Sequence, residues 1–207
     1  MAIDTYANLQ TAVTNWLDRS DLTDRVPEFI ALAEVRIARK LRVRGVETRD
    51  TSITTDGSEY YTLPTDFLEA RNVQINTDPV RVLAYRTPER MDKEYPFSSG
   101  GGACVFSIIG TEIQVKPVDS GNTLEIAYFK KLPALSDSNT TNWIITNAPD
   151  LLLYGSLMEA EAYLVNDPRI PVWRGAYDQS MAEWNRQEEK GRFSGSHLEV
   201  RVSGGTP

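Results

Sequence analysis

The chain has 207 residues, 41% of them hydrophobic and 25% charged, with a formal net charge of −7. This balance suits one sizeable core or two small linked ones and excludes a disordered or collagen-like chain, while the acidic excess argues against gripping nucleic acid over the whole surface. Cys104 and His197 are the only cysteine and histidine, so neither an intrachain disulfide nor a Cys/His metal cluster can form, and no cofactor is expected.

From the N-terminus, Asp4 is placed to cap a first helix whose apolar stripe is Tyr6, Leu9, Val13, Trp16 and Leu17, ending near Asp18 to Asp21. A second, longer helix has Pro27 in its first turn, a stripe of Val26, Phe29, Ile30, Ala33, Ile37 and Leu41, and Gly45 as its stop. The short polar link between the two predicts an antiparallel helical hairpin. From Val46 the pattern turns to β-branched residues and short alternations. Strands are expected at 48–55, 59–63, 70–75, 80–85, 104–109, 113–116 and 123–129, with Asp56-Gly57 as a hairpin turn between the first two. Thr87-Pro88 opens one short helix through Lys93, and residues 98–102 read as a loop.

The stretch from Asn139 to Ala160 holds a polar turn, a large aromatic and an apolar helix. Thr146 or Asn147 is expected to cap that helix, with Pro149 in its first turn and Asp150 at the positive end of its dipole. Leu152, Leu153, Leu157, Met158, Ala160, Tyr163 and Leu164 make it apolar on many sides until Asn166-Asp167-Pro168 ends it. A last helix from about Ile170 carries Val172, Trp173, Ala176, Tyr177, Met181 and Trp184 on one face and stops before Gly191. Residues 192–207 read as an extended C-terminal tail in which Leu198, Glu199, Val200, Arg201 and Val202 alternate as a strand added to another protein's edge would.

The expected fold class is α+β. A four-helix bundle is built from N- and C-terminal helical hairpins over 1–45 and 147–191, with an antiparallel β domain inserted at 46–146. Helices do not alternate with single strands, which disfavours a doubly wound nucleotide-binding fold. No run reaches the roughly 18 apolar residues that span a bilayer, and the N-terminus lacks the charge and apolar core of a signal peptide, so the expectation is a protein that acts where it is made.

Catalytic signatures are missing: there is no Gly-x-Ser-x-Gly elbow, no His-Glu-x-x-His helix and no phosphate loop. The acid pairs Glu28 with Glu34 and Glu159 with Glu161 are the remaining enzymatic option, and they do not stand out from ordinary helix-surface acids. The expectation is therefore not an enzyme. Arg36, Arg39, Lys40, Arg42, Arg44 and Arg49 form a basic run at a helix C-terminus, where cations favour the dipole; the competing reading is a subunit or DNA contact. Trp16, Trp173 and Trp184 read as core residues. Trp143, with Asn147 and Pro149, reads as a structural anchor where the β region returns to the helices.

Three segments, in order, resemble a known family. They are Tyr6 to Trp16 with Val26 to Ile30 and Arg36 to Leu41, then Leu63-Pro64-Thr65-Asp66-Phe67-Leu68-Glu69 with Arg71, and Tyr128 to Leu135 leading into Asn142-Trp143 and Ala148-Pro149-Asp150. Together they are similar to the head-to-tail adaptors of short-tailed phages, also called tail tubular protein A. The resemblance implies a helical bundle with a β domain, assembled as a twelve-fold ring in the virion neck after synthesis in the host cytoplasm. Its implied partners are other copies of itself, the portal protein, tail nozzle subunits, tail fibre proteins and double-stranded DNA passing through the lumen. The implied function is to join portal to nozzle, continue the DNA channel, retain the genome and release it. An acidic lumen would let DNA slide, and the tail would reach the portal. The alternatives are a tail-borne peptidoglycan hydrolase and a tail-tube or head-completion subunit.

Overall fold

The structure, a computed structural model, describes residues 2–97, 101–164 and 167–193. It is a mixed α+β chain with six helices and two sheets among these residues. The chain divides into a unit made from its two ends, Met1–Val43 with Leu135–Pro207, and a contiguous unit, Arg44–Ala134.

In the first unit, α1 (Tyr6–Leu17) is capped by Thr5, whose hydroxyl oxygen accepts from the Asn8 amide at 3.4 Å. Asp4, the expected cap, instead accepts from the Asn8 side chain. Tyr6, Leu9, Val13 and Leu17 are buried, whereas Trp16 is 45% exposed and meets Tyr154 edge-on, so the core stripe is narrower than expected. A tight turn over Ser20–Arg25 leads into α2 (Val26–Lys40), which buries the anticipated Val26, Phe29, Ile30, Ala33 and Ile37. Its C-cap is Leu41 in an extended conformation; Gly45 lies beyond, inside the next tight turn, and does not stop the helix.

Residues 143–159 form two helices. α4 (Trp143–Asn147) precedes α5 (Pro149–Glu159), and Ala148 interrupts them with φ −137° and ψ 55°. Pro149 explains the break, because a proline disfavours helical backbone at the residue before it and supplies no amide to the previous turn. The capping expectation is thereby corrected. Neither Thr146 nor Asn147 caps α5; both donate back to carbonyls of the preceding turn, at Asn142 and Trp143, and Asn142 caps α4 with its side chain.

α5 is buried along most of its length, and α1, α2 and α6 (Ile170–Phe193) all pack against it. Gly155 permits this. A Cβ there would stand 3.1 Å from the Ala33 Cβ and 3.4 Å from Tyr177 Cε2, so the absent side chain lets α2 and α6 approach α5 closely. On α6, Ile170, Trp173, Tyr177 and Met181 are buried, but Val172 is 69% exposed and leaves the predicted core face.

In the second unit, β1 (Glu47–Asp56), β8 (Ser120–Lys130), β3 (Phe67–Asn76) and β4 (Arg81–Val82) form one sheet in that order. β2 (Tyr60–Thr62), β7 (Glu112–Lys116), β6 (Val105–Ile109) and β5 (Ala84–Tyr85) form the other. α3 (Pro88–Glu94) connects β5 to the segment before β6. All pairings are antiparallel except β5 on β6.

Every expected strand is present, but the Asp56-Gly57 hairpin is not: β1 pairs with β8 and β2 with β7, in different sheets. Gly57, at φ 89°, donates its amide to the Asp119 carbonyl, and this bond turns the chain from one sheet to the other. The run 80–85 likewise splits at buried Leu83, which ends the β3–β4 hairpin before β5 joins the second sheet. Val73, Ile75, Leu124 and Ile126 from one sheet and Phe106, Ile113 and Val115 from the other share one core.

Candidate functional site

Within the unit made from the chain ends, residues 135–150 are held by a half-buried carboxylate. Glu34 projects from the flank of α2 and accepts from the Leu135 amide at 3.1 and 3.2 Å and from Asn142 Nδ2 at 2.9 Å. The same Asn142 turns its Oδ1 to the amides of Ile144 and Ile145, each at 3.1 Å. One amide side chain thus ties α2 to the first turn of α4, and burial holds the Glu34 carboxyl above the usual carboxylate range although both donors pull it down. Trp143 meets Trp184 edge-on at 5.5 Å, joining α4 to α6 inside the helical unit. Asp150 lies in the first turn of α5 and accepts from Ser180 Oγ on α6.

The acid pairs are not brought together as a catalytic site would require. Glu28 is exposed and bonded to Arg25, while Glu34 is half-buried in the clamp; six residues apart on one helix, they face different directions. Glu159 pairs with Arg36 at 2.6 Å and Glu161 with Arg174 at 2.7 Å. Among the described residues no group of three or more His, Cys, Asp or Glu side chains is arranged to hold a metal ion, and no helix is long and apolar enough to cross a membrane.

The basic run separates into roles. Arg36 belongs to the Glu159 pair. Arg42 donates to the carbonyls of Ala38 and Leu41, satisfying acceptors that α2 leaves open at its end. Arg49 on β1 stands 3.5 Å from Glu125. Arg44 is exposed in the turn after α2, and Arg39 and Lys40 are exposed in the last turn of α2, where neither has an ion-pair partner among the described residues.

Two surfaces of the helical unit stand out. On α2, Leu32 and Val35 are 53% and 50% exposed and lie on the face opposite the core, in line with Arg39. The N-terminal half of α6 borders an open hollow of about 720 Å³. Leu164, Ile170 and Pro171 line it with Gly175, and Glu161, Asp167, Arg174 and Asp178 stand around it. In the β unit, Ala70, Val73, Leu83, Tyr85, Phe106 and Ile108 line a smaller groove of about 380 Å³.

The Leu63 to Glu69 segment acquires a structural account. Leu63 is buried, Phe67 donates its amide to the Pro64 carbonyl, and Asp66 accepts from the Tyr128 hydroxyl at 2.8 Å. Burial and the neighbouring Asp66 push the Tyr128 phenol well above its ordinary value. Leu198, Glu199, Val200, Arg201 and Val202 lie outside the described residues, as do positions 98–100 of the glycine-rich loop.

Sequence reasoning missed the Glu34–Asn142 clamp; the one local signal for it is an acid directly after the core residue Ala33. It also missed Arg169, whose guanidinium donates to the carbonyls of Trp16 and Leu17 at the end of α1 while lying 5.0 Å from the centre of the Trp173 ring.

A family model described as SU10 adaptor protein matches residues 4–200. No curated protein matches the chain.

Proposed function

We propose that this chain, which belongs to the SU10 adaptor protein family over residues 4–200, is a subunit of a ring that joins the portal to the tail nozzle and continues the DNA channel. The family match supports a structural role as a phage head-to-tail adaptor, situated in the neck of the virion. It covers nearly the whole chain, and that single observation carries the reading. The segment resemblances point the same way, and α1, α2, α5 and α6 are the elements from which a four-helix bundle would be assembled.

A ring adaptor needs lateral contacts between subunits, a face for the portal, a face for the nozzle and a lumen that does not hold DNA. The net charge of −7 favours the last of these, because phosphate is repelled by an acidic wall. Arg39, Lys40 and Arg44 are exposed, which supports their use in a contact with a neighbouring subunit. The alternating segment 198–202 is assigned to the portal, pairing with an exposed strand there. The ring retains packaged DNA and opens its path on ejection.

Electron microscopy of the purified full chain, with and without portal protein, tests this reading together with a variant ending at residue 192. Closed rings on the portal are expected from the full chain, with weaker portal binding from the shortened one. Tubes formed without portal would favour the tail-tube alternative, and failure to bind portal or form rings would overturn the proposal.

A further inference from the structure

Two glycines inside long helices have opposite surroundings. Gly155 is required by internal packing, since a Cβ would press on Ala33 and Tyr177. Gly175 lies in the second turn of α6, and a Cβ there would meet nothing within 4 Å. A helix-interior glycine costs about 1 kcal/mol relative to alanine, and no neighbour within the described residues accounts for this one. Beside it are Val172, 69% exposed, and the open hollow floored by Leu164, Ile170 and Pro171. Of the three acids at the hollow, Glu161 pairs with Arg174 and Asp167 with Arg169, while Asp178 is exposed and has no ion-pair partner among the described residues.

The outward line of α2 has the complementary character. Leu32 and Val35 are exposed on a ridge one turn before Arg39, and Arg39 and Lys40 are cations without ion-pair partners among the described residues. A convex apolar ridge ending in cations thus matches an open hollow with an apolar floor of Leu164, Ile170 and Pro171 and a charged rim on which the acids Glu161, Asp167 and Asp178 outnumber the one cation, Arg174, and both surfaces are carried by the same helical unit.

We infer that the α2 ridge of one subunit docks into the hollow beside Gly175 of a second copy of this chain, Leu32 and Val35 seating against Pro171 and the bare backbone at Gly175, and Arg39 pairing with Asp178. This rests on the ring reading above and names its lateral interface. The two patches differ, so the contact is heterologous, and repetition with closure gives a ring instead of a two-fold dimer. The glycine allows the incoming ridge to approach the α6 backbone closely.

The test uses the full chain on portal in a Cys104→Ser background. Val35→Cys combined with Gly175→Cys in one chain should, on oxidation, give a ladder of dimers, trimers and larger species on a non-reducing denaturing gel, because each chain carries both halves of the contact and the disulfide needs Cα atoms about 4.4–6.8 Å apart. Either single variant should give dimers at most. Separately, Arg39→Glu should weaken assembly about tenfold through like-charge opposition, and adding Asp178→Arg should restore it. The ladder or the charge-swap rescue supports the inference. Normal rings with neither ladder nor any effect of the two charge variants would overturn it while leaving the ring reading standing; a wild-type chain that forms no rings would overturn both.

Discussion

The helical unit and the β unit solve opposite problems of chain connectivity. Residues 44–134 are contiguous, and their sheets close through pairings between segments of that same stretch, such as β1 with β8. The helical unit must bring residues 1–43 together with 135 onward, across an excursion of the whole β unit. Its ties therefore join distant positions: Glu34 to Leu135 and Asn142, Arg36 to Glu159, Arg169 to the end of α1, and the Tyr6 amide to the Thr140 carbonyl at 2.8 Å. The difference teaches that polar side chains at the seams, added to an apolar core, specify where the returning chain sits.

The largest expected effect separates the two units outright. Phe29→Ala empties a position that is 2% exposed between the helices and should cost the helical unit about 3–5 kcal/mol. If the contiguous unit holds its own fold, a thermal melt followed by both near-ultraviolet and far-ultraviolet circular dichroism should split into two transitions, the upper one retaining β structure. A single shifted transition would break the comparison.

The seam comes next. Glu34→Ala removes the carboxylate that accepts from the Leu135 amide and the Asn142 side chain and should cost about 1–3 kcal/mol, whereas Glu34→Gln keeps an acceptor oxygen and should cost less. The pH dependence has a definite sign. A folded pKa raised above the unfolded one makes the Glu34 contribution fullest below the ordinary carboxylate range and diminishes it as pH rises through the folded value. The melting temperature of Glu34→Gln should accordingly gain on wild type between about pH 4 and pH 7. A constant difference would remove the carboxylate from the account.

The smallest effect sharpens the picture of the helical core. Tyr177 is 1% exposed, its hydroxyl has no hydrogen-bond partner among the described residues, and burial pushes its phenol up to about 12. Tyr177→Phe should raise stability by about 1 kcal/mol in urea titrations. A loss of that size would reveal a partner for the hydroxyl.

Much of this architecture was legible because periodicity survives folding. The stripe Val26, Phe29, Ile30, Ala33 and Ile37 is the buried face of α2, and the alternations at 70–75 and 123–129 became paired strands of one sheet. Where the reading of the first strand turn failed, a neighbour distant in sequence had intervened. Asp56-Gly57 has the composition of a hairpin turn, yet the Asp119 carbonyl takes the Gly57 amide and sends the next strand to the other sheet. Trp16 and Val172 fit their helical stripes by spacing and are exposed at their margins, since spacing does not tell how wide a face the packed partners cover.

The same division holds for the candidate surfaces. The basic run was visible as a cluster, but its sequence could not distinguish Arg36, bound to Glu159, and Arg42, turned onto helix-end carbonyls, from the exposed Arg39 and Lys40. By itself the sequence determined the main helices and strands and their order, the α+β class and the adaptor family, because these rest on local period and ordered motifs. Only the tertiary structure decided which strands pair and that Glu34 clamps the returning chain. Those outcomes depend on hydrogen bonds between residues up to 108 positions apart, and no local pattern encodes which donor will meet which acceptor.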